Sequence, residues 1–444
     1  MHLSRSAVAA IAALALLLAA CRDAGGVRAE RSDGATNDTV AERQTTSSAA
    51  QPPVREDQAT VTTSVPNEDV TRTTASRPRP SSENGETITE DIQLFWARSA
   101  TDFQLDTFEA LPQDRIVAVY DADGTGVFCD GEEVLGDEVF DNAFASFCDE
   151  GYLIAYDQPG LMELLTDQIG PTAPAIVFAH EWGHIAQFQA GVFLSPVISE
   201  QQADCLAGSW AADAFDRSYP PMDSLSSLDE AVQAALANAD APGQSSFDPD
   251  AHGNGFDRVR AFQEGFERGV SFCADYAVTP PPLFQVPFEP GLEFQTGGNL
   301  PMVELLDATA FDLAAYFAEQ SGTDPALVPE DVYTQSQMAN LYRQLGDNGL
   351  LTALAMRWGL SAPLESEALL VRACLVGGWM QLHLAPVDEN VVSLSPGDLD
   401  EAIAALVQLS AADRNLGEPG LLFETVAAMR LGVLQGASSC GGGS

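Results

Sequence analysis

Lysine is absent from this chain of 444 residues: the 20 positions that count as Lys or Arg are all Arg. Against them stand 65 Asp and Glu, a formal net charge of -45. So acidic a surface repels nucleic-acid phosphates and anionic lipid headgroups, which argues against a DNA or RNA partner. Histidine is scarce, with five in the chain. No Cys-x-x-Cys pair occurs among the seven cysteines, which argues against a zinc knuckle or a thioredoxin-like centre. The apolar run over 7–20 is too short to cross a bilayer comfortably. The hydrophobic share is nonetheless 45%, enough for a sizeable core in one large domain or two ordinary ones.

Residues 1–20 read as a targeting segment: Arg5 supplies positive charge, then comes the apolar run, then Leu18-Ala19-Ala20-Cys21. That ending resembles a bacterial lipoprotein signal, in which the Cys becomes lipidated. The expectation is an extracytoplasmic protein anchored to the membrane through Cys21; the alternative is an ordinary secretory signal and a secreted protein. Lipidation would leave an even number of cysteines for an oxidising compartment: Cys129, Cys148, Cys205, Cys273, Cys374 and Cys440. Many pairings are open; the preferred one is sequential, 129–148, 205–273 and 374–440.

Residues 21–87 are rich in Ser, Thr, Pro and acidic side chains and poor in large apolar ones, so a disordered tether is expected. Folded structure is expected from 88, with a short helix over 91–99. Strands are expected at 116–120, followed by an Asp-Gly turn, and at 152–156. Helical patterns follow over 161–168, 173–189, 200–214, 228–237 and 255–272. Residues 276–300 read as a loop rich in Pro and Gly, and helices resume over 301–436. The mixture predicts an α+β fold with a small sheet and many helices.

His180-Glu181-Trp182-Gly183-His184 carries the clearest chemistry. On a helix, positions i and i+4 share one face, so two imidazoles can grip one zinc ion while Glu181 serves as general base. The bland alternative is a helix whose histidines merely pack. Further on, Glu200 and Asp204 stand one helical turn apart. Glu200 can complete a His₂Glu ligand set, and Asp204 can accept a hydrogen bond from the far nitrogen of a ligating His. Without the histidine motif upstream, the pair would read as a solvated acidic face. One Zn²⁺ per chain is the expected cofactor, with a protein or peptide as substrate.

An internal similarity runs at an offset of about 170 residues. Cys205-Leu-Ala-Gly-Ser-Trp210 matches Cys374-Leu-Val-Gly-Gly-Trp379, and Leu228-Asp-Glu-Ala231 matches Leu399-Asp-Glu-Ala402. Phe256, Val259, Gly269 and Cys273 match Phe423, Val426, Gly436 and Cys440. At a slightly larger offset, Trp182-Gly183 meets Trp358-Gly359. The second copy keeps Trp, Gly and Cys but has Met356, Arg357 and Leu360 opposite His180, Glu181 and His184, with Leu369 and Ala373 opposite Glu200 and Asp204. The expectation is a degenerate helical repeat over 301–440 that binds no zinc.

Residues 179–187, 200–208, and His252-Gly253 with Arg258, Phe262, Gly265 and Cys273 resemble the bacterial neutral zinc metallopeptidases, zincins of the gluzincin type. The resemblance covers roughly 90–275 and implies a zincin-like peptidase domain over 88–275. It implies zinc on His180, His184 and Glu200, with Glu181 as base. It also implies an edge strand at 153–156 along which a peptide substrate could lie. The competing possibility is a non-catalytic surface or scaffold protein with a structural or vestigial metal site. His252, just before a helix, is expected to face the zinc and assist the oxyanion or the leaving amine. If it does, His252→Ala lowers turnover; unchanged turnover would mark it as a loop residue that only caps the helix.

Overall fold

A computed structural model describes residues 88–120, 127–134, 139–285, 288, 297–321, 329–357, 366–384, 393–412 and 417–441. The targeting segment, Cys21, the tether, the Asp-Gly turn and the Trp358–Leu360 stretch lie outside the described residues. The fold is mostly helical with a small sheet, an α+β arrangement. Among the described residues no helix is long and apolar enough to cross a membrane.

Helix α1, Ile88–Ser99, buries Ile92, Phe95 and Trp96, an i, i+3, i+4 stripe. The sheet follows. β1 (Ile116–Val119), the short hairpin β2 (Phe128–Cys129) and β3 (Glu132–Glu133), then β4 (Ala143–Cys148) and β5 (Gly151–Asp157) come in chain order. The three-stranded sheet has the order β1-β5-β4, with β1 parallel and β4 antiparallel to β5. Residues 153–156 therefore lie on the central strand, not on the expected edge. Leu153, Ile154 and Ala155 are buried because β5 is paired on both sides, and this is what an unbroken apolar run does in a sheet. The outer strand beside the next helix is β4.

Helix α2, Thr172–Ala190, is buried almost all round and ends at Gly191, whose φ of 64° is the left-handed conformation that closes a helix. α3, Pro196–Asp216, starts on a proline at its first position, four residues before Glu200. α4 (Leu225–Ala237) and α5 (Gly255–Arg268) follow. The helix expected over 255–272 breaks at Gly269, with φ 79°, before a short turn, Val270–Ala274.

The rest is helical: α6 (Ala310–Ser321), α7 (Gln335–Arg357), α8 (Ser366–His383), α9 (Asp398–Ala412) and α10 (Leu421–Gln435). α7 is kinked at Gly346, φ 81°. The cysteines are joined in sequence order: Cys129–Cys148, Cys205–Cys273 and Cys374–Cys440.

Several contacts occur in both halves. A β-carbon on Gly208 would sit 2.0 Å from the Phe262 carbonyl oxygen, and one on Gly377 would sit 2.0 Å from that of Met429. Only glycine permits α3 to meet α5, and α8 to meet α10, so closely. The Trp210 indole N–H donates to Asp91, and that of Trp379 to Asp312. Glu230 accepts from the Thr172 N–H at the start of α2, and Glu401 from that of Asn348. The halves also cap one another. Asp229 accepts from the Gly420 and Phe423 N–H groups at the start of α10, and Asp400 from those of Gly255 and Phe256 at the start of α5.

Burial pushes the Asp257 carboxyl up to about 6. Burial, with Asp257 and Asp240 nearby, pushes Asp400 up to about 7 despite its two backbone donors. The folded protein thus holds these protons more tightly than the unfolded chain. The stability they contribute is full below about pH 4 and is lost as pH rises through 6 to 7. The midpoint of thermal unfolding should therefore be higher at pH 5.5 than at pH 8, and Asp400→Asn should flatten that slope in a scanning-calorimetry series.

Candidate metal centre

The site lies where α2 crosses α3. A β-carbon on Gly183 would be 3.0 Å from the Cα of Ala203, so the glycine between the histidines lets the two helices touch there. His180 and His184 face α3, and Glu200 and Asp204 face back. His180 Nε2 is 3.1 Å from His184 Nε2 and 3.1 Å from Glu200 Oε2. His184 Nε2 is 3.2 Å from Glu200 Oε1.

The outer nitrogens settle the tautomers. His180 Nδ1 is 2.7 Å from Asp204 Oδ1, a carboxylate that only accepts. His184 Nδ1 is 2.8 Å from the Gln187 side-chain oxygen. That amide is oriented because its nitrogen donates to the Ser199 carbonyl and to Gln202. Both Nδ1 atoms therefore carry the proton, and in the neutral rings both Nε2 lone pairs point at one another. Two lone pairs and a carboxylate converging in this way fit a cation. Four-coordinate zinc with bonds of about 2.0–2.1 Å holds its donors roughly 3.3 Å apart, close to the spacing seen.

Behind the ligands, Asp204 is shared. Arg258, from the first turn of α5, donates to the same Oδ1 at 2.9 Å and to the Asn238 carbonyl at 2.7 Å. Burial opposes the ionised form of Asp204, but Arg258 and His180 overcome it and hold the carboxyl below its usual range. Glu200 is held well below the ordinary carboxylate range by the two histidines, again against burial. Burial would lower His180, but Asp204 and Glu200 outweigh it and raise its pKa to about 10 in the metal-free protein. Glu181 is buried and its carboxyl is raised, chiefly by burial, with the two histidines opposing.

His252 lies on the loop before α5, with 48% of its side chain exposed and Nδ1 3.8 Å from Asp240. Its nearest charged partner is thus Asp240, not one of the three ligand candidates. Gln187 and Asp240 were not singled out from sequence. Gln187 had a signal, standing three residues after His184 on the same helix face; Asp240, which accepts from the His252 and Gly253 N–H groups, had none.

Among the described residues one other acidic trio comes together, Asp347, Asp398 and Glu401. Its carboxylates receive the N–H groups of Leu300, Ser395 and Asn348, so they serve chain ends at α7 and α9. Met356, opposite His180, lines a small apolar cavity with Leu406, Leu422 and Thr425.

Because His180 holds a proton at neutral pH without metal, zinc uptake near pH 7 should release about one proton per ion. A pH indicator in weak buffer would register it, and His180→Ala should abolish both uptake and release. No family model matches this chain, and no curated protein or solved structure matches it significantly.

Proposed function

We propose that the chain is a zinc-dependent peptidase of the neutral zinc metallopeptidase type, lipid-anchored outside the cytoplasm, with a zincin-like catalytic half. The observation that carries this reading is the convergence of His180 Nε2, His184 Nε2 and the two Glu200 oxygens, with contacts of 3.1–3.2 Å and both outer nitrogens already committed. Two histidines and one carboxylate make a donor set suited to zinc with a position left for water or substrate.

Zinc, when bound, supplies the charge that acidifies water and polarises a carbonyl. Glu181 takes a proton from the attacking water and delivers it to the leaving nitrogen as the C–N bond breaks. Its burial raises the carboxyl, which brings its proton affinity toward that of water near such a charge. Glu200 stays ionised as a ligand because the histidines depress it. Asp204 holds the His180 proton on the outer nitrogen, so the inner one remains a lone pair. His252 stands on the loop before α5, where it can donate to the developing oxyanion.

The C-terminal half fits a degenerate copy that kept packing and lost chemistry. The recurring Trp, Gly and carboxylate contacts support that, as does Met356 in place of His180. The competing scaffold reading draws on the same loss, but a structural site has no use for a buried Glu181 beside its ligands.

Elemental analysis of the purified full chain should find about one zinc per chain. His180→Ala should lose it, and Glu181→Gln should keep it while peptide hydrolysis falls roughly a hundredfold or more. A chain that takes up no zinc would overturn the proposal in favour of a scaffold; Glu181→Gln with undiminished hydrolysis would remove Glu181 from the chemistry.

A further inference from the structure

We infer that Asp400, in the half of the chain that lacks metal-ligand residues, is a positioning residue for the metal centre, acting through the N-terminus of α5. The inference rests on the metal-site reading above and adds to it a dependence of that site on the C-terminal half.

The first N–H groups of a helix have no partner inside it. At α5 they are divided between two side chains. Asn254, the cap residue, accepts from the Asp257 N–H at 2.8 Å. Asp400 accepts from Gly255 at 2.8 Å and from Phe256 at 2.7 Å, one with each oxygen. The fit is close: a β-carbon on Gly255 would stand 3.2 Å from the Asp400 carboxyl carbon. Gly255, Phe256 and Asp257 are all buried, so water offers no ready replacement for a lost acceptor.

Less than one turn beyond Phe256, Arg258 reaches Asp204, and Asp204 reaches His180 Nδ1. Before the helix, the His252 and Gly253 N–H groups are held by Asp240. Residues 252–258 are thus clamped by Asp240 from the catalytic half and by Asp400 from the other. Arg258, which this stretch directs to Asp204, and the neighbouring His252 both depend on where α5 starts. Hydrogen-bond partners behind a ligand are worth about tenfold to a hundredfold in metal affinity.

The molecule contains its own control. Asp229 makes the reciprocal pair of bonds to Gly420 and Phe423 at the start of α10, at 2.8 and 2.9 Å. That contact joins the same two halves, but α10 carries no residue bonded to Asp204 or His180. A role limited to holding the halves together would make the two aspartates equivalent; a positioning role makes them different.

The test uses the full chain with Asp400→Ala, Asp400→Asn and Asp229→Ala. Zinc affinity is measured by competition with a chromophoric chelator. The side-chain nitrogen signals of ¹⁵N-labelled histidine are recorded in the metal-free protein, where only five histidines contribute. Asp400→Ala is expected to weaken zinc about tenfold or more and to shift the His180 and His252 signals. Asp400→Asn, which keeps one acceptor oxygen and the better chance of folding, is expected to lie between it and the unaltered chain. Asp229→Ala is expected to lower the melting temperature while leaving zinc affinity and both signals in place. Unmoved signals and unchanged affinity in the Asp400 variants would overturn the inference, as would an equal loss in Asp229→Ala. A chain that binds no zinc but whose His180 signal answers to Asp400 alone would overturn the metal reading and uphold the positioning.

Discussion

Helices α2 and α3 cross with no room for a side chain at Gly183, and the candidate metal centre depends on that closeness. The histidines lie one residue and three residues from this glycine, so the crossing aims both rings at the first turns of α3. A β-carbon at position 183 would stand 3.0 Å from the Ala203 Cα, backbone that cannot rotate aside, so the helices would have to shift apart to admit it. The same need for contact returns where Gly208 and Gly265 bring α3 against α5, a second crossing braced by the Cys205–Cys273 disulfide. Two tight crossings in series carry the position of α2 through α3 to α5, from which Arg258 returns to the site.

Charge is managed in a way the composition makes necessary. With no lysine and far more acids than arginines, few buried carboxylates can have a cation. Asp204 has Arg258 and the His180 ring, and it stays ionised. Asp257 has Arg260 at 3.2 Å yet is still pushed up to about 6 by burial. Asp229, Asp400 and Glu401 instead use backbone N–H groups at helix starts, where the partial positive charge of the helix substitutes for a side-chain cation. Burial still wins at all three, and each carboxyl is raised. At the candidate site the balance goes the other way, because the two histidines lie against Glu200.

The two halves meet through reciprocal caps, Asp229 on α10 and Asp400 on α5. Each half thus completes a helix end of the other. On the proposed reading the second half has shed the ligands but retained the helix starts, the tryptophan anchors and the glycine crossings. Those features hold the shape on which the first half leans.

Much of the candidate site was legible from local spacing. His180 and His184, and Glu200 and Asp204, each stand four apart on a helix, and a helix puts such residues on one face whatever surrounds it. The preferred sequential pairing of the six cysteines also stands in the structure. Strand order was not legible: the apolar run in 152–156 marks a strand but says nothing of its neighbours, and pairing on both sides placed it in the centre of the sheet instead of at its edge. Asp204 behind His180 was expected from its spacing, but what holds Asp204 and α5 in place was not. Arg258 is 54 residues from Asp204, and Asp400 is 145 from Gly255, and no periodicity links positions so far apart. The sequence by itself determined which side chains share a helix face and that the candidate ligand residues sit in the first half. Only the tertiary structure decided which helices cross and which carboxylate serves which helix end. Those outcomes depend on packing between distant segments, where a single missing β-carbon sets how near two backbones can come.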